Sequence, residues 1–218
     1  MNKLKTLRKF FKIYKLDGYL VPKNDEYFNE YVNSSKDRLK FISNFSGSAG
    51  FGIMTMKKNY LFVDGRYTLQ AHKESGKDFK IKNIQDLFKI NLDGKKVLGF
   101  DPALFNLYII SKLKKNKNLI LKSIPINLID KINKKKIESK FRKAFITENR
   151  YLASNNPYYK KKRILEILKL EKKQTFLTTS SENINWLLNI RGGDSSFSPI
   201  LNCFAIFNKN EEIIHIFC

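Results

Sequence analysis

Two cysteines, two histidines and only 20 acidic residues among 218 positions bound what this chain can be. Cys203 and Cys218 lie in or beside predicted strands and form no close pair or metal-type spacing, which excludes a disulfide framework and suits a reducing compartment. His72 falls on a predicted helix and His215 in a predicted strand. No HExxH pattern, no His/Cys pair at ligand spacing and no GxSxG elbow is present, so metal or hydrolytic chemistry finds no complete site. No apolar run approaches the roughly 18 to 20 residues of a membrane-spanning helix. Met1 to Leu16 mixes Lys and Arg with Leu4, Leu7, Phe10, Phe11 and Tyr14 at helical spacing, which is an amphipathic helix and not a signal peptide. The expectation is a soluble, cytoplasmic protein.

Against these acids stand 42 Lys and Arg, for a net charge of +22. Clustered cations displace counterions from phosphates, so one reading is a free-standing basic binding module for nucleic acid or acidic partners. However, the runs Lys112–Lys117, Lys134–Lys136 and Lys160–Arg163 fall on separate predicted elements, and Lys far outnumbers Arg, the better reader of phosphate and base edges. We therefore read the charge as solvated surface lysine, with neither nucleic acid nor membrane as the expected partner.

What is present is a core-forming chain, 42% apolar with 18 Phe and 10 Tyr, organised as a repeat. Tyr19-Leu20-Val21, the run Leu39–Phe45, a Gly47–Gly50 loop and the segments Phe51–Met56 and Tyr60–Val63 form a first copy. Phe176-Leu177-Thr178, Ile184–Ile190, Arg191–Asp194, Cys203–Phe207 and Ile213–Phe217 form a second. Setting Phe41 against Trp186 puts Asn44 on Asn189 and Gly47 on Gly192. Two related α/β units are expected, at 1–126 and 145–218, joined by a connector at 127–144, with the second unit incomplete. An unfinished hairpin edge would be exposed, so we expect the chain to stop inside that unit.

Finer readings follow from local signals. Ser35–Phe45 reads as a helix capped by Ser34 or Ser35. Gly52–Met56 and Tyr60–Val63 read as a hairpin across Lys57-Lys58-Asn59. Tyr67–Glu74, Ile84–Lys89 and Leu104–Leu113 read as helices, and Tyr158–Leu170 as another. Gly47, Gly50 and Gly52 permit a tight, unusual backbone path. The loop lacks a Walker ending and precedes a strand, so a phosphate cradle fails on context. Arg191-Gly192-Gly193-Asp194 reads as a helix end, with Arg191 near the last carbonyls and a glycine in the left-handed cap.

Asp64-Gly65-Arg66-Tyr67 ends a predicted strand and opens a helix. Asp64 could simply cap, Gly65 turn and Arg66 pair internally. Alternatively, the Arg66 guanidinium could face a ligand carboxylate or carbonyl, where its planar fork orients the partner. Spacing leaves the two readings level.

Several ordered motifs resemble the creatinase-type N-terminal domain of Xaa-Pro aminopeptidases of the aminopeptidase P family. They are Gly18-Tyr19-Leu20-Val21-Pro22, Asp25-Glu26 with Glu30-Tyr31, Phe45–Gly50, Leu61–Tyr67 with Leu69-Gln70-Ala71, Gly99–Pro102 and Asn127–Asp130. Asn185–Gly192 with Asp194 and Pro199 is similar to the middle domain of three-domain members. The resemblance implies two related α/β domains with mixed sheets flanked by helices. It implies a third, metal-bearing catalytic domain beyond Cys218, where two divalent metals, commonly manganese, activate a water against the bond preceding proline. It implies peptides with proline second as substrates, and allows a homodimer at full length. No catalytic, cofactor or metal residue is assigned within this chain. The Arg of the Asp-Gly-Arg-Tyr motif contacts bound peptide in such enzymes, which makes Arg66 the expected substrate-binding residue, with Asp64, Gly65 and Tyr67 supporting it. The connector departs from the family at Asn133, where an aromatic commonly stands.

Overall fold

A computed structural model of the chain describes residues 2–133, 144–147, 156–169, 171, 174–195, 197–208 and 214–218. Contacts divide it into two units: Met1–Glu26 with Ser34–Ile137, and Tyr27–Asn33 with Glu138–Cys218. No described helix is long and apolar enough to cross a membrane.

The first unit is built on a mixed six-stranded sheet. Its strands are β1 (Gly18–Pro22), β2 (Phe51–Thr55), β3 (Asn59–Val63), β4 (Lys80–Asn83), β5 (Lys96–Phe100) and β6 (Leu119–Ser123), in the order β4-β3-β2-β1-β5-β6. β1, β2 and β3 pair antiparallel in succession, while the β3–β4, β1–β5 and β5–β6 pairs are parallel. Side chains alternate across the pleat. Tyr19, Val21, Met54, Leu61 and Val63 meet one layer, formed by α1 (Lys3–Tyr14), α2 (Arg38–Ser43), α3 (Thr68–Ser75) and α5 (Leu128–Ile132). Leu20, Ile53, Tyr60, Phe62 and Leu98 meet the other, which holds α4 (Leu107–Lys114) and the 3₁₀ turns Ile84–Lys89 and Pro102–Leu104.

The expected hairpin and amphipathic first helix are present. Asn2 caps α1 through Lys5 N, and Leu7 and Phe11 are its buried stripe. Three helix expectations need correction. α2 starts at Arg38, because the Asp37 carboxylate, which also pairs with Lys23, accepts from Lys40 N at 3.1 Å; Ser34–Lys36 form a turn instead. Ile84–Lys89 is 3₁₀. The Leu104–Leu113 run is broken where Asp101 caps Pro102–Leu104 and Asn106 separately caps α4 through Ile109 N. The start of the expected connector is core as well: Leu128, Ile129 and Ile132 are buried in the first unit, and Leu128 N donates to the Tyr19 hydroxyl. Asn133 is the C-cap of α5. The remaining connector residues 134–143 lie outside the described residues.

A buried guanidinium ties α5 to α2. The Arg38 side chain is 2% exposed and grips Asp130 with Nε and Nη2, at 2.9 and 2.8 Å. Nη2 also donates to Glu26 Oε1 at 2.6 Å, and Nη1 is buried without a hydrogen-bond partner. Burial opposes ionisation of Glu26, but the hydrogen bond and charge of Arg38 outweigh it and hold the carboxyl below its ordinary value.

The second unit repeats the strand logic of the first. β8 (Thr175–Thr178), β10 (Phe204–Asn208) and β11 (His215–Phe217) pair antiparallel in the order β11-β10-β8, as β3-β2-β1 do. The ladders superpose in register: Val21 faces Gly52 where Thr178 faces Ala205, and Phe51 faces Phe62 where Phe204 faces Phe217. α6 (Pro157–Leu168) and α7 (Ser181–Leu188) pack on them, and a two-residue ribbon joins β7 (Phe145–Ile146) to β9 (Ile190–Arg191). Within this unit Tyr27 stacks on Phe204 with ring centroids 5.0 Å apart, and Asn29 donates to Asn202.

The repeat alignment has a structural counterpart at its asparagines. Asn44 ends α2 and Asn189 ends α7, both in the left-handed region, with φ 66 and 55. The left-handed cap expected of a glycine near Arg191 is therefore Asn189. Its side chain accepts from the buried Lys160 ammonium, which also donates to Trp186 O and lies over the Trp186 ring. Arg191 reaches the Asn185 and Ile190 carbonyls, as expected.

Asp130→Ala should destabilise the first unit by about 3 kcal/mol, the lower end for breaking a buried pair because Asp130 is partly solvated. Arg38→Met, which leaves two carboxylates that can reach water, should cost less. Urea unfolding compares them, and equal losses would contradict the clamp. The depressed Glu26 carboxyl contributes stability that is present above its ordinary value of 4.5 and lost as pH falls through the folded value. Glu26→Gln should thus be less stable than the parent at neutral pH and converge with it in acid, followed by circular dichroism.

Candidate functional site

β3 is buried along its whole length, so the first residues able to meet solvent are those just past Val63. Asp64 leaves the strand extended and caps the 3₁₀ turn Gly65–Tyr67, its Oδ1 accepting from Arg66 N at 2.9 Å. The same carboxylate holds the Arg66 side chain: Nη2 donates to Oδ2 at 2.7 Å, and Nε lies 3.2 Å from both oxygens. The guanidinium carbon sits 5.4 Å from the Tyr67 ring centroid. The capping and internal-pairing roles are both realised, in a side chain that is 76% exposed. The Arg66 hydrogen bond draws the Asp64 carboxyl below its ordinary value, against a small cost of desolvation.

Tyr67 is fixed from behind. Its hydroxyl lies 2.8 Å from Ser48 Oγ, and its ring meets Phe45 edge-on at 5.8 Å. The loop carrying Ser48 is tied to α3: Ser46 donates to Glu74 through backbone N at 2.8 Å and Oγ at 2.7 Å, and Gln70 Nε2 bridges Ser46 Oγ and Glu74. The Glu74 carboxyl is held low by these Ser46 and Gln70 bonds despite partial desolvation. The motif reading had no place for Glu74; the signal available was its i, i+4 spacing from Gln70 on one helix face.

The glycines of this loop give a tight path, but one without an unusual backbone conformation. Among the described residues the only glycine with positive φ is Gly94, so Gly47, Gly50 and Gly52 are not there for an unusual backbone path. They permit close approach. A Cβ on Gly47 would strike the Phe45 ring and lie 2.9 Å from Tyr67, one on Gly50 would lie 2.9 Å from Phe62 O, and one on Gly52 2.9 Å from Leu39.

Asp64, Gly65, Arg66 and Tyr67 are thus a rigid strand-end platform with an outward guanidinium, able to pair with a carboxylate or carbonyl oxygen. No three His, Cys, Asp or Glu side chains among the described residues come together as metal ligands. His72 on α3 and His215 on β11 are exposed. Many lysines have structural partners, among them Lys23 with Asp37, Lys36 with Glu26 and Lys58 with Asp93.

The creatinase/prolidase N-terminal domain family matches residues 3–131, and a second creatinase/prolidase N-terminal domain family matches residues 139–218. The chain is 30% identical over 228 residues to a probable Xaa-Pro aminopeptidase P of Coprinopsis cinerea, covering 99% of this chain and 36% of the relative. It is 32% identical over 238 residues to Xaa-Pro aminopeptidase 1 of Dictyostelium discoideum, covering 99% and 37%. The crystal structure of an X-prolyl aminopeptidase from Caenorhabditis elegans, a cytosolic enzyme with a di-nuclear active site, matches with a TM-score of 0.86 at 28% identity, over 99% of this chain and 38% of that one. The chain spans little more than a third of the length of these relatives.

Gly47→Ala should displace the Phe45–Tyr67 pair and destabilise the first unit by about 1–3 kcal/mol, the range for overpacking. The Tyr67 ring resonances should move in the same variant; a shift confined to Gly47 itself would remove the platform's dependence on this glycine.

Proposed function

Because the chain belongs to the creatinase/prolidase N-terminal domain family, we propose that it is the N-terminal, non-catalytic portion of a cytoplasmic Xaa-Pro aminopeptidase. Such an enzyme releases the N-terminal residue that precedes proline. The observation that carries this reading is similarity along 99% of the chain to about a third of the aminopeptidases it matches. In this reading the two units shape access to a catalytic centre with two divalent metals, manganese by the resemblance of the motifs. The described residues do not fit such a centre, since they assemble no ligand group, and no catalytic step is assigned to them.

Arg66 is the residue we propose to contact the peptide. A bond preceding proline has no N–H, so the substrate offers only carbonyl oxygens there. A donor-only guanidinium matches that chemistry. Asp64 fixes its orientation, so less side-chain freedom is lost on binding. Gly65 opens the 3₁₀ turn, and the Tyr67 ring lies beside the cation.

With manganese added, the chain alone should release no N-terminal residue from an Xaa-Pro peptide; metal-dependent turnover would overturn the non-catalytic assignment. In nitrogen-15 spectra, the same peptide should shift the Arg66 side-chain Nε–H signal. Arg66→Lys should weaken binding roughly tenfold, as expected when a planar fork is replaced by a point charge. Unchanged Arg66 resonances under saturating peptide would remove this contact from the proposal.

A further inference from the structure

The two cysteines of the sequence flank the end of one ladder of the second unit. β10 and β11 run antiparallel, with Phe204 opposite Phe217, Ala205 opposite Ile216 and Ile206 opposite His215. The next rung of that register sets Cys203 opposite Cys218. Directly opposed residues project to the same face. Here that is the face under α7, where Cys203 packs with Ile184 and Ala205, and Ile214, two rungs from Ile216 on the same side, packs with them. Opposed Cα atoms of an antiparallel pair lie about 4.5–5.5 Å apart, within the roughly 4.4–6.8 Å that a disulfide spans. Both thiols are free in the structure, Cys203 buried and Cys218 exposed. The cysteines form no close pair along the sequence, yet the register of the ladder brings them to facing strand ends.

The geometry points to Cys203 and Cys218 as a reversible redox pair that forms an intramolecular disulfide by exchange with a low-molecular-weight disulfide of the glutathione type. The exposed Cys218 thiolate attacks one sulfur of that disulfide, forming a mixed disulfide and expelling one small thiolate. Cys203 then loses its proton and attacks the Cys218 sulfur, forming the Cys203–Cys218 bond and expelling the second small thiolate. Two protein thiols are oxidised, and one small disulfide is reduced to two thiols.

The environment sets the order of these steps. Burial pushes the Cys203 thiol up to about 12, with Cys218 and Asp194 adding to it, so it is a poor first nucleophile. Burial and Asp194 raise Cys218 as well, so exchange should quicken as pH rises. Once Cys218 carries the leaving group, the high effective concentration of Cys203 on the facing strand favours ring closure over release. The bond would staple β11 to β10, making the stability of this unit depend on redox poise.

The test is a time course of the folded chain with oxidised glutathione, quenched by alkylation and read by intact and peptide mass spectrometry. The expected product has lost two hydrogens, has no alkylatable thiol after denaturation, links the Cys203 and Cys218 peptides, and reverts with reductant. Amide exchange in β11 should slow by on the order of tenfold or more in the oxidised chain. Cys203→Ser should stop at a glutathione adduct on Cys218. Cys218→Ser, at the exposed position and so without a folding penalty at the core, should take up glutathione far more slowly than the parent. A stable Cys218 adduct with Cys203 still alkylatable in denaturant would overturn the pair. So would a Cys218-linked dimer, or a bond that forms only as fast as the chain globally unfolds.

Discussion

The first unit depends on a sheet that is covered on both faces. β1 has every residue buried, and so does β3 two strands away. A polar side chain placed along such a strand would lose its water and find few partners. Polar chemistry is therefore displaced to where strands end. Asp64 is the first position after β3 at which a carboxylate can be partly solvated while its backbone is still held by the sheet. Close cover also explains the glycines: with a side chain at Gly50 or Gly52, α2 and the loop before β2 could not lie against the strands.

The same cover makes Arg38 costly unless it is compensated. A guanidinium at 2% exposure is tolerable only because Asp130 takes two of its donors and Glu26 another. None of this was legible in the sequence, because the partners stand 12 and 92 positions away and no local period joins them. α5 was missed for a related reason. Five residues, two of them charged, make a thin apolar pattern, and its burial is decided by tertiary packing against α1 and α2. By contrast, the β2–β3 hairpin, the capped α7 and the repeat itself were legible. Each rests on short-range signals: alternating apolar runs, a Ser with an acid two positions on, and asparagines at equivalent helix ends. The Asp64–Tyr67 platform was half legible. Cap and ion pair follow from spacing, whereas its support by Ser46, Ser48 and Glu74 requires the fold.

The excess of lysine also has a partly structural explanation. Lys3 donates to Phe41 O in α2, Lys122 to Tyr14 O at the end of α1, and Lys160 to Trp186 O in the last turn of α7. Carbonyls at helix C-termini lack intrahelical donors and carry the negative end of the macrodipole, so cations there are favourable. These three ammonium groups are matched by backbone carbonyls, as those of Lys23, Lys36 and Lys58 are by carboxylates.

The two copies of the repeat part company at one rung. In the first unit, the position beyond the Phe51–Phe62 pair is Gly50 opposite Val63, where a Cβ on Gly50 would meet Phe62 O at 2.9 Å. No cross-link could be built there. In the second, the equivalent position beyond Phe204–Phe217 is Cys203 opposite Cys218, with Cys203 accommodated in the layer under α7. The shared ladder fixes where the rung lies, and local packing decides what it can hold. The first copy uses its rung to launch Asp64 and the guanidinium platform, so that rung must be tight and inert. The second has room for two facing thiols, so it can carry a chemistry the first cannot.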